Sequence, residues 1–213
     1  MRYDDTPIGE FLDAIASGRA EPAGGTAAAF AGATGAALCE MVCVHTVDAG
    51  RGSADGAVSG DGRAGSGGRG DATDADTDGF GTLRTGLRRR RRTLVALGNR
   101  DAKLVEAVFG DGEAPSTRLR RRAAGIPLAV SETALGVLTD AETAYDRGRD
   151  GVHADAKTGG HLADAAIRAS IGTVRINVAA LPDRSFAAGV ERRVADVERS
   201  AATVRRRFLG ADG

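Results

Sequence analysis

The sequence predicts an all-α fold, a single bundle of about six helices. Three observations carry that expectation. Apolar residues recur at steps of three and four over most of the chain, helix start and stop signals bracket those stretches, and no segment alternates with a period of two for long enough to be a strand. A chain of 213 residues suits one domain with its own core, so residues 1–213 are read as a single unit.

The elements follow in order. Thr6 as N-cap and Pro7 at the first helical position introduce a short amphipathic helix in which Ile8, Phe11, Leu12 and Ile15 recur until Gly18. Pro22-Ala23-Gly24-Gly25 breaks the chain, Thr26 offers an N-cap hydroxyl, and a helix of small residues runs to about Val47. Within it Gly32, Gly35 and Ala36 would let another helix come close. Residues 51–79 lose all periodicity and hold no large apolar residue beyond Val58, so they are expected to form a flexible Gly/Asp-rich insertion that cannot offset its ordering entropy. Leu83, Leu87, Leu94, Leu97, Leu104 and Val108 mark a third helix. A fourth starts near Pro115-Ser116 and meets Pro127, which must kink or end it by removing a hydrogen bond and crowding the preceding turn. Apolar periodicity resumes from Leu128 to Ala141. Residues 154–180 read as a buried central helix, and Asp183 caps a last helix whose Phe186, Val190, Val194, Val197, Ala201, Val204 and Phe208 form one long seam.

Composition narrows the function classes. Basic and acidic residues number 29 each, so the chain as a whole exerts no pull toward a polyanion or an anionic membrane. The acidic start Tyr3-Asp4-Asp5 is unlike a signal peptide, and the apolar stretch 26–44 is mostly alanine and glycine and contains Glu40, which fits a close-packed soluble helix better than a membrane span. A cytoplasmic protein is expected. Cys39 and Cys43, the only cysteines, lie four apart on a helix and read as core-filling thiols. Glu40 and His45 point away from their face, which argues against a metal site.

A few polar residues stand on apolar helix faces. Asp101 lies four residues after Leu97 and three before Leu104, and a carboxylate buried there must be paired, hydrogen-bonded or protonated. An ion pair with an arginine is the alternative to catalysis. Asp155 falls in the first turn of the fifth helix, where the macrodipole favours an anion, and simple capping would explain it. Arg175 and Asn177 sit late on that helix among Ile171, Val174, Ile176 and Val178, with a salt bridge to a neighbouring helix as the structural explanation. The Gly24-Gly25-Thr26 turn could cradle an anion at a helix N-terminus, or be only a turn. His153 and His161 are too far apart for a shared metal and read as surface residues.

Taken in order, these segments resemble the cyclodeaminase/cyclohydrolase family, that is, the C-terminal domain of formiminotransferase-cyclodeaminase and its stand-alone relatives. The resemblance rests on residues 11–17 and 22–29, Asp101-Ala102 with Val105, Ile126-Pro127-Leu128, Ala154-Asp155-Ala156 and Val174-Arg175-Ile176-Asn177. Ala23 and Thr26 stand where the family usually has glycine and serine, and Lys157 where it has glycine. The resemblance implies a helical homodimer acting on one-carbon units carried by tetrahydrofolate, with no metal, nicotinamide or other cofactor beyond that substrate. The expected reaction is hydrolysis of 5,10-methenyltetrahydrofolate to 10-formyltetrahydrofolate, and closure of the same ring with loss of ammonia is the alternative. Asp101 and Asp155 would be catalytic, while Gly24, Gly25, Thr26, Lys157, Arg175 and Asn177 would bind substrate. A non-catalytic or nucleic-acid-binding helical protein is a minor alternative. It rests on the runs Arg88–Arg92, Arg118 with Arg120–Arg122, and Arg205–Arg207, against which stand net neutrality and an aromatic content of 4%.

Overall fold

The computed structural model describes residues 2–55, 74–109 and 114–210. Six helices follow a 3-10 turn at Tyr3–Asp5: α1 (Ile8–Ala16), α2 (Gly24–Asp55), α3 (Asp74–Phe109), α4 (Thr117–Arg147), α5 (His153–Ala179) and α6 (Arg184–Val204), which ends in a π turn at Arg205–Leu209. No strand occurs among the described residues. Helices α2 and α3 extend into the expected insertion from either side, and residues 56–73 lie outside the described residues.

Helices α2 to α5 pack side by side as a four-helix bundle, and α6 lies across α4 and α5. The small residues of α2 set the spacing. A Cβ on Gly35 would stand 2.5 Å from the Gly159 carbonyl oxygen, and one on Gly32 would stand 3.2 Å from the Ala166 methyl, so α2 and α5 touch backbone to backbone and run antiparallel. Cys39 and Cys43 fill this interior, and burial pushes both thiols up to about 12. By length and composition 24–48 could also cross a membrane, yet 56% of its apolar 18-residue window is buried inside the bundle.

Local capping chemistry is partly as expected. Ser116 and Asp183 accept the N–H groups of Leu119 and Phe186 as N-caps of α4 and α6. Thr6 does not cap α1, because its hydroxyl bonds the Arg2 carbonyl in the 3-10 turn and the helix begins one residue later, at Ile8. Nor does Thr26 cap α2: the helix starts at Gly24, and the hydroxyl is engaged elsewhere.

Helix α4 runs through Pro127 without ending. Proline cannot donate to the carbonyl four residues back, which is that of Ala123, and the Asn177 side-chain amide on α5 donates to that oxygen at 2.7 Å instead. The last seam packs inside the chain: Val190, Val194, Val197, Ala201, Val204 and Phe208 are all buried. Helix α5 is less central than its composition suggests: it buries one side against α2 and α4, but Arg175 is exposed and Ile176 is 74% exposed.

Candidate active site

Asp101 is carried by α3 to the N-terminal end of α2. Its carboxylate is 7% exposed and accepts a hydrogen bond of 2.9 Å from the hydroxyl of Thr26, which is itself fully buried. Among the described residues no arginine pairs with it, so the ion-pair alternative finds no partner there. Burial pushes the carboxyl above the ordinary carboxylate range, and the Thr26 hydroxyl and backbone N–H pull it down by less. Gly25 makes the approach possible, for a Cβ there would lie 2.6 Å from one carboxylate oxygen and 2.7 Å from the other. The anion cradled at this helix N-terminus is therefore the protein's own Asp101, which uses the free N–H end that sequence reasoning reserved for substrate.

A small cluster closes this end of the bundle. Tyr3, Phe11 and Ala14 pack on Ala102, the residue after Asp101, and on Phe30 of α2. Asn99 ties the chain start down by accepting the Tyr3 N–H at 2.8 Å and donating to Asp4 at 2.7 Å. The apolar seat for α1 is thus built directly beside the buried carboxylate.

A cleft of about 690 Å³ opens between α3 and α4, floored by Leu97, Ile126 and Ala129 and rimmed by Arg100, Arg118, Arg121 and Arg122. Leu97 and Arg100 occupy the turn of α3 just before Asp101, so the cleft begins within one helical turn of the carboxylate. Arg121 pairs with Asp183 and stacks on Phe186. Arg100, Arg118 and Arg122 have no carboxylate partner among the described residues and remain free for an anionic ligand. The sequence marked Arg118 and Arg122 only as part of a basic run and passed over Arg100. The feature that sets these three apart is that they line one cleft with no carboxylate partner among the described residues, which no local spacing reveals.

Other arginines of those runs are engaged internally. Arg88 and Arg91 bond Glu40 at 2.9 and 3.1 Å, holding this nearly buried carboxylate below its ordinary range against the cost of burial. Arg90 pairs with Asp140 at 2.9 Å, Arg205 with Asp164 and Arg207 with Glu142. The polyanion reading loses its basis there.

The remaining expected site residues divide. Asn177 is committed to Ala123, and Arg175 bonds Glu198 of α6 at 2.8 and 2.9 Å on the exposed side of α5, so both have structural partners rather than open hydrogen-bonding groups. Asp155 and Lys157 belong to the opposite end of the bundle. Lys157 lies 5.4 Å over the Tyr145 ring, and His153, half-buried rather than on the surface, bonds the Gly148 carbonyl and packs on the same ring. Because a Cβ on Gly159 would touch Cys39, 13 residues beyond Thr26, a rise of about 1.5 Å per residue puts Asp155 roughly 25 Å along the bundle from Asp101. One chain cannot bring both carboxylates to one reacting carbon. Among the described residues no group of three or more His, Cys, Asp or Glu could hold a metal ion.

Residues 7–58 and 71–196 match the formiminotransferase-cyclodeaminase family. The chain is 29% identical to a methenyltetrahydrofolate cyclohydrolase from Methylorubrum extorquens, across 90% of this chain and 86% of that protein. Its fold is similar to that of a formiminotetrahydrofolate cyclodeaminase from Thermotoga maritima, with a TM-score of 0.79 over 99% of each chain at 18% identity.

Proposed function

Since the chain belongs to the formiminotransferase-cyclodeaminase family, we propose that it is a methenyltetrahydrofolate cyclohydrolase, converting 5,10-methenyltetrahydrofolate and water to 10-formyltetrahydrofolate. The observation that carries this reading is Asp101, a buried carboxylate with no cationic partner among the described residues, anchored by one hydroxyl and one turn from an arginine-rimmed cleft. The substrate's methenyl carbon bears a delocalised positive charge. A carboxylate unneutralised by any arginine attracts that cation, and its raised proton affinity suits it to take a proton from the attacking water. Oxygen bonds to the methenyl carbon, the bond from carbon to N5 breaks, N5 keeps a proton, and one proton leaves to solvent overall. Asp101 can hand its proton to the departing nitrogen and so act as base and then acid.

The glutamate tail of the folate is anionic, and Arg100, Arg118 and Arg122 offer it charge beside an apolar floor. These replace Lys157, Arg175 and the Gly24-Gly25-Thr26 turn as the tail's partners. The acting unit we propose is a cytoplasmic homodimer. Loss of methenyltetrahydrofolate absorbance on adding purified protein, with 10-formyltetrahydrofolate as product, tests the reaction. The second reading, formiminotetrahydrofolate cyclodeaminase, is favoured by the transferase-linked family to which the chain belongs. It predicts ammonia release from 5-formiminotetrahydrofolate, so feeding both substrates in parallel separates the two.

A further inference from the structure

Most of the arginine-rimmed cleft is one stretch of α4. Thr117, Arg118, Arg122, Ile126 and Ala129 line it from that helix, whereas Leu97 and Arg100 come from α3. The α4 wall is interrupted where Pro127 stands four residues after Ala123. With no N–H at 127 the helix lacks its own bond to the Ala123 carbonyl, and the proline ring crowds that oxygen. Arg118 and Arg122 lie before this gap, Ile126 within it and Ala129 after it. Arg100 sits on a helix that no proline interrupts.

What spans the gap is a side chain from another helix. On the last turn of α5, the Asn177 amide donates to the Ala123 oxygen at 2.7 Å. An ordinary residue at 127 would make that bond inside α4. Making it from α5 has a different consequence: a bond that would only stiffen one helix now ties the cleft wall to its neighbour, at the residue that follows Arg122. Arg121 also ties this stretch to Asp183, but that ion pair is partly exposed, and solvent and salt weaken it. Leverage makes the tie matter. Arg118 is five residues before Ala123, about 7.5 Å along the helix axis. A change of about 10° at the gap, half of what counts as a sharp kink, moves it by about 1 Å, more than the ~0.5 Å range of normal hydrogen-bond lengths.

We propose that Asn177 is a positioning residue for the folate tail: by bridging the gap that Pro127 leaves in α4, it holds Arg118 and Arg122 across the cleft from Arg100 and sets affinity without touching the ligand. This rests on the cyclohydrolase reading and adds to its site a residue that acts through the cleft wall.

A double-mutant cycle with Pro127 tests it, because Pro127→Ala returns a backbone donor to α4 and makes the Asn177 amide dispensable. Asn177→Ala should raise KM for methenyltetrahydrofolate about tenfold and change kcat by less than about twofold. On the Pro127→Ala background the same substitution should change KM by less than about twofold, whatever KM that background itself has. Asn177→Leu, which fills the space without a donor, should repeat both results, and it replaces the alanine variant if that protein does not fold. Amide hydrogen exchange in residues 117–126 should quicken in Asn177→Ala and return to the background rate in the double variant. An equal rise in KM on both backgrounds, an unchanged KM in the folded Asn177 variant, or a fall in kcat with KM unchanged would overturn the proposal. Wild type that hydrolyses no methenyltetrahydrofolate would sink the functional reading alone, since the Kd for p-aminobenzoyl-L-glutamate, measured by calorimetry on the same proteins, still reports how the tail is held.

Discussion

Gly25→Ala and Gly24→Ala differ by one position and should have opposite consequences. A Cβ on Gly25 would stand 2.6, 2.7 and 2.8 Å from the two oxygens and the Cγ of Asp101, whereas a Cβ on Gly24 meets nothing within 4 Å. Ordinary contact begins near 3.4 Å, so the Asp101 carboxylate must retreat by close to 1 Å. It cannot do so freely, being 7% exposed and hydrogen-bonded to Thr26. Overpacking of this kind costs about 1–3 kcal/mol, and a catalytic group displaced by about 1 Å can lose 10²-fold in rate. Gly24→Ala, at an exposed helix start, should be neutral or stabilise by up to about 1 kcal/mol through the unfolded chain. Denaturant titration and initial rates of methenyltetrahydrofolate hydrolysis, measured on both variants where both are folded, make the comparison. Equal activity in the two proteins would refute the placement of Asp101 against Gly25 as the basis of catalysis.

Further expectations follow from the same geometry. Asp101→Asn should lower the rate by about 10²-fold or more while leaving the fold intact. Because burial raises the folded carboxyl above 3.8, the wild type loses stability as pH rises through that range, and the Asn variant should be at least as stable at neutral pH, the difference vanishing below the unfolded value. Melting curves between pH 3 and pH 8 check it, and a variant less stable at neutral pH than at acid pH relative to wild type would contradict the assignment. Asn177→Ala should cost about 1–3 kcal/mol, since the Ala123 carbonyl opposite Pro127 loses its donor, whereas Arg175→Ala should cost under about 1 kcal/mol because its pair with Glu198 is exposed. Denaturant midpoints rank the two, and the reverse order would count against the role given to Asn177. Arg118→Ala combined with Arg122→Ala should raise KM for methenyltetrahydrofolate with little change in kcat, because the tail they hold is bound alike in ground and transition states; a kcat effect without a KM effect would place them elsewhere in the mechanism.

What the sequence determined by itself is everything that acts within a few turns of one helix. Period-three-and-four apolar spacing placed the six helices, the short polar side chains of Ser116 and Asp183 placed two starts, and Gly32 and Gly35 announced a close helix contact. The same periodicity exposed Asp101 as a carboxylate on an apolar stripe. Local spacing cannot say what that carboxylate meets, because its partner Thr26 is 75 residues away and its own surroundings suit a helix cap equally well. The same limit hid three other facts: Asn177 completes α4 at Pro127, several arginines of the basic runs close on carboxylates of neighbouring helices, and Asp155 lies at the far end of the bundle from Asp101. Each depends on which helices are neighbours and in which direction they run. Only the packing of the helices against one another decides that, since a helix's own pattern records which face is buried and not what buries it.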